Sequence, residues 1–213
     1  MKQLTIPANT TTTIIEDTLN EDVEITIGEN AIVTYIFMLS GEGNTRKIAH
    51  LKANAQINWR TAIIGGNNTQ HIVAYHEGEG SMSDHQGIFL GKAHDRFVMN
   101  YWNEHQAAHT TGHINVHGVL FDSAYADFKG NIKIKQTGSD TNATLVEETI
   151  LLGEKSRSDS IPQLEIATND VKATHSSAIS KIDDEQLFYL QSRGIALEEG
   201  KRLIVRGFLE ELI

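Results

Sequence analysis

Apolar and polar positions alternate along most of this chain in short runs, each closed by glycine, asparagine or aspartate. The runs cover residues 24–27, 31–39, 47–51, 56–64 and 72–76, then 87–90, 96–101, 113–120, 131–135 and 144–152. Turn residues separate them, as at Gly28-Glu29-Asn30, Ser40-Gly41-Glu42-Gly43-Asn44 and Gly65-Gly66-Asn67-Asn68. A period of two with Gly/Asn/Asp punctuation predicts β-strands joined by tight turns. Pro7 and Pro162 are the only prolines, which suits long hydrogen-bonded ladders.

The pattern continues through residues 163–168, read as a last strand, a turn at Asn169-Asp170, and a short extended run over 171–175. After Lys181-Ile182 the period becomes helical. Asp183 is placed as an N-cap with Gln186 three residues on, close to a capping box. Leu187, Leu190 and Gln191 share a face, and Gly194 ends the helix after Arg193. A second helix begins near Ala196 or Leu197, with Leu197, Lys201, Ile204, Val205, Phe208, Leu209 and Leu212 at three- and four-residue steps. The predicted organisation is a β region over 1–182 and a C-terminal helical subdomain over 183–213.

Small residues open several alternating runs. Ala31 and Ala55 are 24 residues apart, and Ala124 and Ala143 are 19 apart. Spacings of this size suggest a solenoid. A β-sandwich or cupin-like barrel accounts for the same pattern equally well.

Composition narrows the chemistry. The 213 residues are 39% hydrophobic and 22% charged, with net charge −10, so a nucleic-acid surface is not expected. No apolar run is long enough to span a membrane, and the first residues have no apolar signal core, so a cytoplasmic location is expected. There is no cysteine, so this chain supplies no thiolate ligand, disulfide or catalytic thiol. Nine of the ten histidines lie between His50 and His117, and His105, His109, His113 and His117 recur every four residues. That spacing leaves a histidine-liganded metal site open, although no HExxH pattern accompanies it. Ser156-Arg157-Ser158-Asp159-Ser160 reads as a polar turn; no G-x-S-x-G elbow supports a nucleophile, and no G-K-[ST] follows a glycine-rich turn.

One ordered string is more specific. Leu164-Glu165-Ile166, Asn169-Asp170-Val171-Lys172, Thr174-His175 and then residues 183–195, DDEQLFYLQSRGI, resemble the core of the SufB/SufD family of iron–sulfur cluster assembly scaffolds. The D-type members read roughly LEI, DDVKCSHGATVG and D-x-E-x-LFYL-x-SRGI. The resemblance implies a mainly β protein: a right-handed parallel β-helix with a C-terminal α-helical pair. It also implies a non-catalytic subunit working with a SufC-type ABC ATPase and with a SufB-type subunit or a second copy of itself as a homodimer. No cofactor is then expected on the isolated chain, only a transient iron–sulfur cluster at a subunit interface. The family's typical member has a further N-terminal helical region, so a minimal core is expected here.

By the same resemblance, His175 is a cluster candidate, with Glu165 as a test partner; His105 falls about where the family tends to have a histidine. Ser176-Ser177 stands where the family has Gly-Ala. Dimer contacts are expected at Gln163, Leu164, Glu165, Ile166, Val171, Ala173 and His175. ATPase docking is expected at Phe188, Tyr189, Arg193, Gly194, Ile204 and Phe208. The competing reading, from the residues alone, is a His-liganded metalloenzyme on a cupin-like barrel; a third is a purely structural β-solenoid.

Overall fold

A computed structural model describes residues 1–16 and 21–212. In chain order the elements are β1 (Lys2–Ile6), β2 (Thr11–Glu16), β3 (Val23–Ile27), β4 (Ile32–Ser40), β5 (Gly43–Leu51), β6 (Gln56–Ile64) and β7 (Asn67–His76). There follow β8 (Met82–Gly91), β9 (Arg96–His105), β10 (Thr111–Leu120), β11 (Tyr125–Ile134), β12 (Thr141–Leu151), β13 (Arg157–Ile166) and β14 (Val171–Lys181). Two helices end the chain, α1 (Asp184–Ser192) and α2 (Leu197–Glu210).

Odd-numbered strands form one sheet and even-numbered strands the other, each in sequence order and wholly parallel. The chain therefore lays one strand in each sheet, turns, and climbs: a parallel β-helix. This removes the barrel and sandwich alternatives, whose neighbouring strands run antiparallel. Strictly alternating burial follows from the period-two pattern, as in β6, where Ile57, Trp59, Thr61 and Ile63 are buried while Gln56, Asn58 and Arg60 are not.

Register shows which spacings were structural repeats. Val23 pairs with Lys47, 24 residues on, so the Ala31–Ala55 spacing is one turn of the solenoid. The 19 residues between Ala124 and Ala143 are not a turn: they run from the start of β11 in one sheet to β12 in the other. Residues 157–160 are strand β13 rather than a polar turn, and the run at 171–175 continues to Lys181. Hydroxyl side chains masked both strands, because serine at inward positions breaks the apolar alternation.

The turns stack as well. Asn9, Asn30 and Asn54 each take a left-handed backbone conformation, which asparagine tolerates better than other side chains. Their amides form a ladder, Asn54 Nδ2 to Asn30 Oδ1 and Asn30 Nδ2 to Asn9 Oδ1, both 3.2 Å. Inside, packing is tight enough to demand glycine: a Cβ on Gly118 would lie 1.9 Å from the Phe89 ring.

The helix ends obey local rules. Asp183 caps α1, its Oδ1 accepting from Glu185 N at 2.8 Å. Gly194, with φ +86°, closes α1: its N–H reaches the Gln191 carbonyl while Ile195 N–H reaches that of Leu190. These paired bonds form a Schellman motif. The hairpin folds α2 back against the outer face of β10.

Candidate functional site

Among the described residues, strands β13 and β14 pair only with β11 and β12, so both sheets end in an open edge at the same end of the solenoid. The core ends there too: Leu164, Val171 and Ala173 pack on it but remain partly exposed. Gln163, Glu165 and Ile166 are exposed on β13. All the residues assigned to pairing therefore lie on the two edge strands.

His175 sits in register with Leu145, whose side chain is fully buried, so it takes the inward-facing row at this mouth. It is exposed because no turn follows above it, and among the described residues it makes no hydrogen bond or ion pair. Glu165 is in register with exposed Lys133 and so faces outward. Asn131 Nδ2 donates to it at 2.8 Å, and Lys133 Nζ lies 3.8 Å away. His175 and Glu165 thus belong to opposite faces and do not form a joint ligand pair.

His105 is elsewhere again. It ends β9 inside the solenoid, fully buried, with its ring stacked 4.3 Å from that of His76. Thr110 Oγ1 bonds its Nδ1 at 2.8 Å. Burial, reinforced by His113, pushes its pKa down to about 3, so it is a neutral packing group at ordinary pH. The four-residue histidine spacing does not make one face: His109 lies in a turn, and only His113 and His117 share the outer face of β10. Among the described residues, no group of three or more His, Asp or Glu side chains is arranged to hold a metal ion.

The same mouth contains Glu147, which sequence reasoning missed. It occupies an inward position on β12 and is 0% exposed. Ser177 Oγ donates to its Oε2 at 2.9 Å, and Thr149 Oγ1 to its Oε1. The signal was present: in the alternation of 144–152, Leu145, Glu147 and Thr149 share one parity, and a glutamate in that apolar set is anomalous.

The helical hairpin divides into a free and an engaged face. Phe188 is 72% exposed and Tyr189 57%, with the Arg193 guanidinium 5.2 Å from the Tyr189 ring centre. Gly194 has open space around it, and Ile204 is half-buried. Phe208 is engaged, stacked on His117. Beside it, a cavity of about 540 Å³ opens between α2 and the sheet, floored by Ile88, Leu90, Phe121 and Leu152. Among the described residues, no helix is long and apolar enough to cross a membrane.

Comparison with known proteins now adds to this geometry. The chain is 32% identical over 196 residues to the iron–sulfur cluster assembly protein SufD of Bacillus subtilis, covering 89% of this chain and 45% of that protein. A SufBD family protein of Mycobacterium tuberculosis is 27% identical over 209 residues, covering 92% of this chain and 53% of the relative. SufD of Escherichia coli is 34% identical over 111 residues, covering 52% of this chain and 26% of that protein. The chain spans about half the length of the first two relatives. Residues 2–208 match the family described as SUF system FeS cluster assembly, SufBD core domain, and the chain belongs to that family.

Proposed function

We propose that this chain is a non-catalytic scaffold subunit in iron–sulfur cluster assembly, with the open end of the solenoid as its working surface. One observation carries the reading. Two unpaired strand edges and an incompletely covered core meet at the mouth where His175 faces inward. Such edges call for a covering partner. A second chain, either another copy or a SufB-type subunit, extends both sheets there through Gln163–Ile166 and Val171–His175. The cluster is cargo held between the two chains. This chain has no cysteine, so it contributes imidazole or carboxylate donors while the partner contributes the thiolates.

The exposed side of the hairpin docks a SufC-type ABC ATPase, with Phe188, Tyr189 and Arg193 as anchors and Gly194 and Ile204 beside them. Aromatic and arginine side chains are the usual anchors of such contacts.

Reconstitution with ferrous iron and sulfide tests the reading. The isolated chain should retain no stable cluster. With a cysteine-bearing SufB-type subunit a visible absorption band should form, and it should fall at least several-fold in His175→Ala. A stable cluster on the isolated chain, unaltered by His175→Ala, sinks the proposal. Docking has its own readout: Tyr189→Ala should weaken ATPase binding about ten-fold or more with an unchanged melting temperature.

A further inference from the structure

Basic side chains are the minority charge in this chain, 18 Lys and Arg against 28 Asp and Glu. Three of them nevertheless gather in one place. Tyr125 opens β11 and pairs with Arg96 on β9 and with Arg157 on β13. The residues that follow them, Phe97, Ala126 and Ser158, are buried inside. Arg96, Tyr125 and Arg157 therefore stand side by side on the outer face of the odd-strand sheet. The two guanidinium carbons lie 5.5 and 5.9 Å from the Tyr125 ring centre. Lys155, in the turn that leads into β13, brings the third cation. A cavity of about 370 Å³ is lined by Arg96, Ser123, Tyr125, Lys155, Arg157 and Asp159.

The charges around this cavity do not cancel. Asp159 is the one acid in the lining, and it is taken up by Arg157. Its Oδ1 accepts from Arg157 Nε at 3.1 Å and from Nη2 at 2.9 Å, and its Oδ2 accepts from Nη2 at 2.8 Å. The Tyr125 hydroxyl donates to the same Oδ2 at 2.8 Å. These bonds fix the Arg157 guanidinium and leave its Nη1 without a partner among the described residues. The side chains of Arg96 and Lys155 make no ion pair or hydrogen bond among the described residues. Neighbouring Asp95 and Asp122 do not offset them, because both are engaged by backbone amides. Asp95 accepts from Gly66 and Lys92, and Asp122 from Ala93, each at 2.8 Å. Two uncompensated positive charges thus share one cavity, where they repel each other unless an anion joins them.

We propose that this cavity binds the dianionic phosphate of a small phosphomonoester, with Arg96 and Lys155 supplying the balancing charge and Arg157 Nη1 donating to a phosphate oxygen. The planar guanidinium fork suits phosphate oxygens, and lysine adds a point charge. A phosphomonoester carries close to two negative charges at neutral pH, which matches the two open cations. The cavity falls within the range of about 300–1,000 Å³ of small-ligand sites, and polar Ser123, Tyr125 and Asp159 suit a hydroxylated organic group. The inference goes beyond the assembly reading and stands without it. The cavity lies at the start of β13, and the pairing residues Gln163–Ile166 lie at its far end.

Isothermal titration calorimetry of the full chain at low salt, with glycerol 3-phosphate and separately with inorganic phosphate, tests the site. The native chain should bind one equivalent of glycerol 3-phosphate, several-fold more tightly than inorganic phosphate. Affinity should fall at least ten-fold in Arg96→Gln and in Lys155→Gln. It should stay native in Arg46→Gln, which removes an exposed arginine of β5 outside the cavity. Native affinity in both cavity variants, or an equal loss in Arg46→Gln, overturns the site. Tighter binding of inorganic phosphate overturns the phosphomonoester as its occupant, and absence of binding by either anion overturns the proposal outright. Arg96 and Lys155 are both exposed, so their variants should melt with the native chain. If Arg96→Gln melts early, Lys155→Gln decides, and native affinity there overturns the proposal.

Discussion

The His117 ring lies flat on the Phe208 ring, centroids 4.4 Å apart and planes within 7°, and His117 Nδ1 donates to the Phe208 carbonyl at 2.8 Å. That carbonyl lies in the last turn of α2, where carbonyls lack intrahelical donors. One outer-face residue of β10 therefore caps and stacks the helix at once, with Glu148 3.7 Å from its other ring nitrogen. His117→Ala should loosen the hairpin, at a local cost of about 1–2 kcal/mol. Amides of α1 and α2 should then exchange faster while those of the central strands keep their protection. Unchanged exchange in α2 would show that the contact holds nothing. Phe208→Ala should behave likewise, which separates it from the free anchors Phe188 and Tyr189.

Acid should destabilise the solenoid through its buried histidines. Burial pushes His85 and His105 down to about 3, and puts His76 well below its ordinary value. The folded state keeps these rings neutral while the unfolded chain protonates them below about 6.5. The unfolded state then binds more protons, so stability is complete above pH 6.5 and is lost as pH falls from there toward 3. Each histidine contributes a slope of up to about 1.4 kcal/mol per pH unit in that window. Urea midpoints measured at pH 7, 5.5 and 4.5 should fall in order, and less steeply in His85→Gln. A flat profile would mean that these rings titrate inside the fold.

The turn ladder is testable in isolation. Asn30 holds a left-handed backbone conformation, bonds Asn9, and accepts from Asn54. Alanine loses both bonds and tolerates that backbone poorly, so Asn30→Ala should cost about 1–2 kcal/mol. Asn30→Gly keeps the backbone and should recover part of the loss. Equal destabilisation by both would assign the whole effect to the amide ladder.

How much of this was legible depended on what the strands carry. Alternation in β6 was plain because its inward set, Ile57, Trp59, Thr61 and Ile63, is all branched or aromatic, and the string from Leu164 to Ile195 carried the family. Strand β13 was hidden at its start because inward Ser158 and Ser160 resemble turn residues in sequence. The contact of Ser177 with Glu147 could not be assembled from sequence, since the two are 30 residues apart and meet only when β12 and β14 pair. Glu165 and His175 stand in the sequence as two cluster candidates. The arch between β13 and β14 separates them, placing one outward and one inward.

At the opposite end of the solenoid, Lys47 is the most deeply placed cation. Its side chain is fully buried, its Nζ lies 2.6 Å from Glu16 Oε2, and the Phe37 ring centre is 5.2 Å away. Tyr35 donates to the same carboxylate at 2.8 Å. Burial lowers the Lys47 pKa from its ordinary value while Glu16 opposes the shift. A desolvated pair of this kind contributes little net stability compared with apolar packing, yet breaking it leaves one buried charge alone. Lys47→Met should therefore cost about 3–5 kcal/mol, and Glu16→Leu a comparable amount. The double variant should be markedly more stable than the sum of the two losses predicts, because neither charge is left behind. Urea unfolding of the four proteins gives the coupling directly. Simple additivity would show that Lys47 is compensated by other groups, foremost the Glu21 carbonyl that it also contacts, and that the ion pair is incidental.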